Sequence, residues 1–141
     1  IQGITYYTYK SIYKNRNFND FKHITQADIQ SIYKDDFWNI MKCDEVQRGI
    51  DLMLFDFSVT SGTYRSIKVL QKCLNVTEDG IFGEITLSKL LKQDPKTLIN
   101  SLYNEQINFY KSLKTYKYFG KGWTNRTNRR LSKALEMVGE K

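Results

Sequence analysis

Apolar side chains along this chain recur at intervals of three and four, the repeat of a helix that buries one stripe. Strand-like alternation is hard to find beyond the first few residues, so the pattern predicts an all-α domain. The first helix is expected from Thr5 through Tyr9, Ile12 and Tyr13, with Asn15 to Asn19 as a loop. Thr25-Gln26-Ala27-Asp28 has capping-box spacing with Asp in place of Glu, and Ile29, Ile32 and Tyr33 follow on one face. That helix is expected to end between Trp38 and Met41.

The next helix reads from about Glu45 to Ser61. Val46, Ile50, Met53, Leu54 and Phe57 fall on one face, while Leu52, Phe55 and Val59 cover much of the other. A helix apolar nearly all round is a buried central one. Gly62 ends it, and Tyr64, Ile67, Leu70 and Leu74 mark an amphipathic helix that closes at Asn75 or Val76. Thr77 to Gly83 contains Asp79-Gly80, the composition of a tight turn that needs positive φ. A short helix with Leu87, Leu90 and Leu91 follows. Asp94-Pro95 puts the single proline in the first turn of another helix, where its missing N–H costs nothing, with Asp94 as N-cap. That helix carries Leu98, Leu102, Phe109, Tyr110 and Leu113. Phe119-Gly120-Lys121-Gly122-Trp123 reads as the last loop, and Thr124 to Val138 as a basic terminal helix. No repeat, linker or low-complexity stretch divides the chain, so residues 1–141 are expected to form one domain.

Composition narrows the classes. The chain has 141 residues, 40% of them hydrophobic, enough for a real core and too many for a disordered segment. Its uncharged stretches are too short for a bilayer span, so no stable membrane insertion is expected. Lys and Arg number 22 against 15 Asp and Glu, giving a net charge of +7 and a preference for an anionic partner. Nucleic acid, a membrane surface and an acidic wall polymer all qualify on charge alone. Cys43, Cys73 and the single histidine, His23, supply neither a disulfide framework nor a four-ligand zinc site, and no metal or cofactor is expected.

Asp56 is the only charged residue between Asp51 and Arg65, set in Leu54-Phe55-Asp56-Phe57. A carboxylate there lies at the edge of the core and needs hydrogen bonds or a partner. It either pins a neighbouring loop through backbone N–H groups or serves the chemistry. Ser58, Thr60 and Ser61 place hydroxyls at the end of the central helix, where they line a polar cleft or satisfy the last carbonyls. His23 reads as a surface residue; there is no Gly-x-Ser-x-Gly elbow for it to serve. Trp38 and Trp123 can stack on sugar rings or fill the core. Arg126, Arg129, Arg130 and Lys133 share one side of the last helix, a solvated basic face or an anion contact.

Taken in order, Gly3-Ile4-Thr5, the Ile32-Tyr33 to Phe37-Trp38 segment, Phe55 through Gly62, Leu70-Gln71 and Asp79-Gly80-Ile81-Phe82-Gly83 resemble family 108 glycoside hydrolases. These are lysozyme-like N-acetylmuramidases of phages and bacteria, also described as secretion activator proteins. Phe119 to Trp123 with Asn125-Arg126 resembles that family's closing signature. Leu70-Gln71, Asp79-Gly80, Gly83 and Thr86 resemble its predicted peptidoglycan-binding region. Thr60 stands where the family usually has Asn, and Glu84 where Pro is common.

The resemblance implies a lysozyme-like fold, any small β-hairpin lying at or before the N-terminus. It also implies a catalytic-type half (1–64), a peptidoglycan-binding half (65–141) and cleavage between N-acetylmuramic acid and N-acetylglucosamine. It implies peptidoglycan as partner, no nucleic acid and a monomer. The protein would be made in the cytoplasm of a bacterium or an infected host and act on the wall. Thr5, Asp56, Ser61 and Trp123 become cleft candidates, with Asp56 holding the cleft wall. The family's general acid is a Glu in a Glu-Gly-Gly segment upstream of Gly-Ile-Thr, so the catalytic Glu is expected before Ile1. None of Glu45, Glu78, Glu84 or Glu105 stands out as a substitute. Two other readings remain: a non-catalytic peptidoglycan-binding module, and a basic helical nucleic-acid binder using Arg126, Arg129 and Arg130.

Overall fold

The computed structural model describes residues 6–139, and within them every regular element is helical. Thr5, and any hairpin at or before the N-terminus, lie outside the described residues. Helix α1 (Tyr6–Ile12) leads to α2 (Phe18–Lys22), which overlaps the Asn15 to Asn19 segment read from sequence as a loop. The cause is a reciprocal cap: Asn17 Oδ1 accepts the Asp20 N–H at 3.0 Å, and Asp20 Oδ2 accepts the Asn17 N–H at 2.8 Å. Helix α3 (Gln26–Tyr33) starts at the expected Thr25 cap, whose Oγ1 accepts the Asp28 N–H, and continues into a π-helical turn over Lys34–Trp38.

Helix α4 (Ile50–Ser61) is the central helix, with Ile50 and Leu54 wholly shielded. It starts later than Glu45 because Gly49 has φ +99°, a conformation that cannot continue a helix. That glycine is also a contact point, since a Cβ there would stand 2.5 Å from the Ala134 carbonyl oxygen and 3.0 Å from Ile99 Cδ1. Helices α5 (Thr63–Leu74), α6 (Glu84–Leu91), α7 (Pro95–Ser112) and α8 (Tyr116–Met137) complete the order. Asn75 closes α5 in the left-handed conformation, and Asp94 caps α7 by accepting the Thr97 N–H at 3.0 Å.

Phe119 to Trp123 is helical, not a loop. Gly120 lies so close to the Tyr116 ring that a Cβ would meet it at 2.5 Å, and Trp123 stacks on Tyr110 of α7. Packing of α8 on α7 outweighs the cost of about 1 kcal/mol that each glycine imposes on a helix.

The main core gathers around α4, with Ile67, Leu70, Leu90, Ile99, Leu102 and Ala134 from the later helices closing over it. A smaller cluster of Tyr9, Phe21, Ile29 and Ile32 serves α1 to α3. Tyr33 joins the two, its ring 5.2 Å from Phe37 and 6.0 Å edge-on to Phe55. Among the described residues no helix is long and apolar enough to cross a membrane.

Candidate functional site

Consecutive residues of α4 point to different surroundings, and the functional geometry follows from that. Phe55 turns towards α3 and the π-helical turn, where it forms one wall of an open cleft of about 450 Å³. Ile29, Tyr33 and Trp38 supply the other apolar surface; Gln26, Gln30, Lys34 and Asp44 supply polar groups. Trp38 packs edge-on to Phe55 at 5.7 Å and donates its indole N–H to Asp44 Oδ1 at 2.8 Å, which fixes the ring plane at the rim. Flat apolar faces beside amides and a carboxylate suit a ligand with apolar faces and polar edges, such as a sugar ring. Trp38 thus packs against the main core and also lines a cleft.

Asp56, the next residue, faces α8. Arg126 reaches it through Nε at 3.1 Å and Nη2 at 2.8 Å, and Arg130 Nε joins at 3.0 Å. The Asp56 side chain is 13% exposed. Its partners are guanidinium groups 70 and 74 positions away, not the backbone N–H groups of a neighbouring loop. That role belongs to Asp51, which the sequence reading passed over: Asp51 is buried, and its Oδ1 accepts the Gly49 N–H at 2.9 Å and the Leu52 N–H at 2.6 Å. The signal for it was an acidic residue in the first turn of a buried helix. Nor is the side of α8 a uniform solvated basic face. Arg126 and Arg130 turn inward, and Arg129 is exposed.

At the end of α4 the hydroxyls meet Tyr110. Thr60 Oγ1 and Tyr110 Oη are 2.6 Å apart, Ser61 Oγ lies 3.3 Å from Thr60 Oγ1, and Thr60 also donates to the Phe57 carbonyl. Burial pushes the Tyr110 phenol above its ordinary range, despite its hydrogen bonding with Thr60 and Ser61, which acts the other way. Its ring stacks on Trp123 at 4.9 Å and 22°. The structure thus brings Ser61, by way of Thr60, and Trp123 to one tyrosine, while Asp56 is held by the two arginines.

The turn that resembled a peptidoglycan-binding motif is held by one buried amide. Gln71 Nε2 lies 2.8 Å from Asp79 Oδ1, 3.0 Å from the Ile81 carbonyl and 3.1 Å from Thr86 Oγ1, while Gln71 Oε1 accepts the Gly80 N–H at 2.9 Å. Gly80 takes the positive φ expected of it, +75°. The N–H of Ile81, then the Gln71 amide, hold the Asp79 carboxyl below its ordinary range. These motif residues build the turn.

Burial pushes both thiols, Cys43 and Cys73, up to about 12, so they pack rather than react. His23 is exposed, its Nδ1 2.9 Å from the Asn19 carbonyl oxygen. Glu105 pairs with Lys72 at 3.0 Å, and Glu84 stands 4.0 Å from Lys42 with its side chain 91% exposed. Among the described residues no group of His, Cys, Asp and Glu is placed to hold a metal ion. One further carboxyl escaped the sequence reading: Asp36 in the π-helical turn, held above its ordinary range by burial and then by the adjacent Asp35.

Residues 1–62 match the family model described as Glycosyl hydrolase 108, and residues 65–128 match the model described as Predicted Peptidoglycan domain. All the residues named in the aromatic cleft lie within the first match. No curated protein matches the chain. Among solved structures, SagA of Brucella abortus is similar, with a TM-score of 0.90 and 34% identity, over 98% of this chain and 80% of that one. By that likeness and the two matches in order, this chain belongs to the glycosyl hydrolase 108 family and carries its peptidoglycan-binding region.

Proposed function

We propose that this protein is a lysozyme-like peptidoglycan hydrolase, an N-acetylmuramidase that cuts the glycan between N-acetylmuramic acid and N-acetylglucosamine. The carrying observation is the cleft of Tyr33, Trp38 and Phe55, which lies wholly within the glycosyl hydrolase match. Aromatic faces take the apolar sides of pyranose rings, while Gln26, Gln30 and Asp44 meet hydroxyl and acetamido groups. Asp56 acts as a positioning residue: the two arginines hold it, and it holds α4, whose Phe55 forms the cleft wall. Ser61 contributes a hydroxyl beside Thr60, and Trp123 backs that end of the helix through Tyr110. Thr5 is the fourth candidate, at the expected entry to α1.

Hydrolysis needs an acid to protonate the leaving oxygen and a carboxylate or activated water opposite an oxocarbenium-like transition state. We assign the acid to the Glu of a Glu-Gly-Gly segment preceding Gly3. The net charge of +7 favours approach to an anionic wall polymer, the site of action.

Reducing-end release from purified sacculi tests this reading. The chain preceded by that segment should release reducing ends, and the same chain with the Glu changed to Gln should not. Release by residues 1–141 alone would move the acid into this chain. Binding by all forms without release would make the protein a peptidoglycan-binding module.

A further inference from the structure

Between α5 and α7 lies a second cleft, of about 260 Å³, with no part in the glycan reading. Arg65, Lys68 and Lys72 face it from α5, and Glu105, Asn108 and Phe109 from α7. The helices run in opposite directions here, because Arg65 meets Phe109 while Lys72 meets Glu105.

The charges are unevenly satisfied. Lys72 is neutralised by Glu105 at 3.0 Å. Among the described residues neither Arg65 nor Lys68 forms an ion pair; each rests on a ring, Arg65 at 5.0 Å from the Phe109 centroid and Lys68 at 5.3 Å from that of Tyr64. Ring contacts leave the cations' hydrogen-bond donors available and hold the groups in place. The amide of Asn108 stands beside them. At the other end Glu78 lines the cleft as an exposed carboxylate. Arg65 and Lys72 are two helical turns apart, so the α5 wall of the cleft is about 10 Å long from one to the other.

We propose that this cleft is a subsite for the peptidoglycan stem peptide, with Arg65 and Lys68 taking a free carboxylate and Glu78 a free amine. A stem peptide offers both: the free α-carboxylate of its γ-linked glutamate and the side-chain amine of the diamino acid that follows. These charges sit on adjacent residues, about eleven bonds apart through the γ-link and the side chain, so a span of about 10 Å lies within the peptide's extended reach. Phe109 provides apolar surface for the methylene groups between them. All the cleft's residues lie within the match to the predicted peptidoglycan domain. The proposal rests on the reading of peptidoglycan as substrate and adds recognition of its peptide to recognition of its sugar.

The test is calorimetric titration of the full chain with the tripeptide L-Ala-γ-D-Glu-L-Lys and with the same peptide amidated at the glutamate α-carboxyl. Amidation should weaken binding about tenfold, as should the pair Arg65→Ala and Lys68→Ala, and the double variant should no longer distinguish the two peptides. Glu78→Gln should weaken binding of the tripeptide but not of its Nε-acetylated form. Should the double variant fail to fold, the amidated peptide on the wild-type chain still decides. Equal affinity for both peptides overturns the subsite. A chain that sediments with sacculi but ignores the tripeptide overturns it too, leaving the glycan reading standing. A chain that binds neither overturns both.

Discussion

Arg126 grips Asp56 with two nitrogens, Nε at 3.1 Å and Nη2 at 2.8 Å, across 70 positions of sequence. The contact ties the terminal helix to the central one, and so ties the segment matching the peptidoglycan domain to the segment matching the hydrolase. Asp56→Ala leaves two guanidinium groups facing an apolar stub. Removing one partner of a buried pair costs about 3–5 kcal/mol. Here Arg126 and Arg130 are 35% and 40% exposed and recover part of their hydration, so about 2 kcal/mol is expected. Urea unfolding measures it. A variant with full stability and lost turnover would place Asp56 in the chemistry instead.

Gly49 and Gly62 bracket α4, both at positive φ, and they should respond differently to alanine. At Gly62, with φ +89° and ψ 155°, a Cβ meets nothing within 4 Å, so Gly62→Ala bears only backbone strain, about 1–3 kcal/mol. At Gly49 positive-φ strain of its own is joined by a Cβ 2.5 Å from the Ala134 carbonyl oxygen, a backbone atom that moves only if α8 moves. Gly49→Ala should cost about 3 kcal/mol or more. Equal loss of thermal stability in the two variants would refute the close approach of α8.

The contrast between these glycines also marks what sequence could reveal. Local chemistry was legible: Thr25 and Asp94 as caps, Asp79-Gly80 as a positive-φ turn, and α4 as a helix apolar on all sides. Each is dictated within a few residues. The Gly49 contact with Ala134 and the Asp56 contact with Arg126 join distant segments, and periodicity does not say which helices meet. Arginines at helical spacing look like a basic face until a carboxylate 70 positions earlier turns two of them inward. Gly120 and Gly122 read as a loop because the contacts that keep this stretch helical, Gly120 against the Tyr116 ring and Trp123 on Tyr110 of α7, do not show in periodicity. Asp56, Ser61 and Trp123 were singled out as residue types, but the contacts of Thr60 and Trp123 with Tyr110 were not legible, and the cleft at Trp38 needed the π-helical turn to form.

Asp36 gives the fold a distinctive response to pH. Burial, then Asp35, raises its carboxyl above the unfolded value of about 3.9. The folded state therefore binds this proton more tightly than the unfolded state. Its contribution to stability is complete below the unfolded value and is lost as pH rises through the folded one. Asp36→Asn removes the cost of a partly buried charge, so the variant should be more stable than wild type at pH 7. The difference should shrink as pH falls to about 3. Asp28 works in the opposite sense: its ion pair with Arg16 at 2.8 Å holds its carboxyl below the ordinary range, against the opposing effect of burial. Its stabilisation is present above the unfolded value and lost as pH falls through the folded one. Thermal melts of wild type, Asp36→Asn and Asp28→Asn from about pH 2 to 7 check both signs; a wild-type to Asp36→Asn difference independent of pH would mean that Asp36 does not titrate as described.

Trp38 offers the most direct probe of the proposed glycan cleft, because its N–H and its ring face separate by substitution. The N–H bond to Asp44 orients the ring, and the ring face offers apolar surface. Trp38→Phe removes the N–H and keeps a flat face; Trp38→Ala removes both. If the face stacks on a sugar, alanine should weaken binding of a soluble peptidoglycan glycan oligomer by about tenfold, or about 1.4 kcal/mol, and phenylalanine by much less. Loss of orientation alone would instead weaken both variants alike. Binding of the unglycosylated tripeptide should not change in either, since its proposed cleft lies between α5 and α7. Titration of both ligands against both variants therefore separates a sugar platform from general damage to the fold. Equal oligomer affinity in wild type and Trp38→Ala would remove this cleft from the path of the glycan.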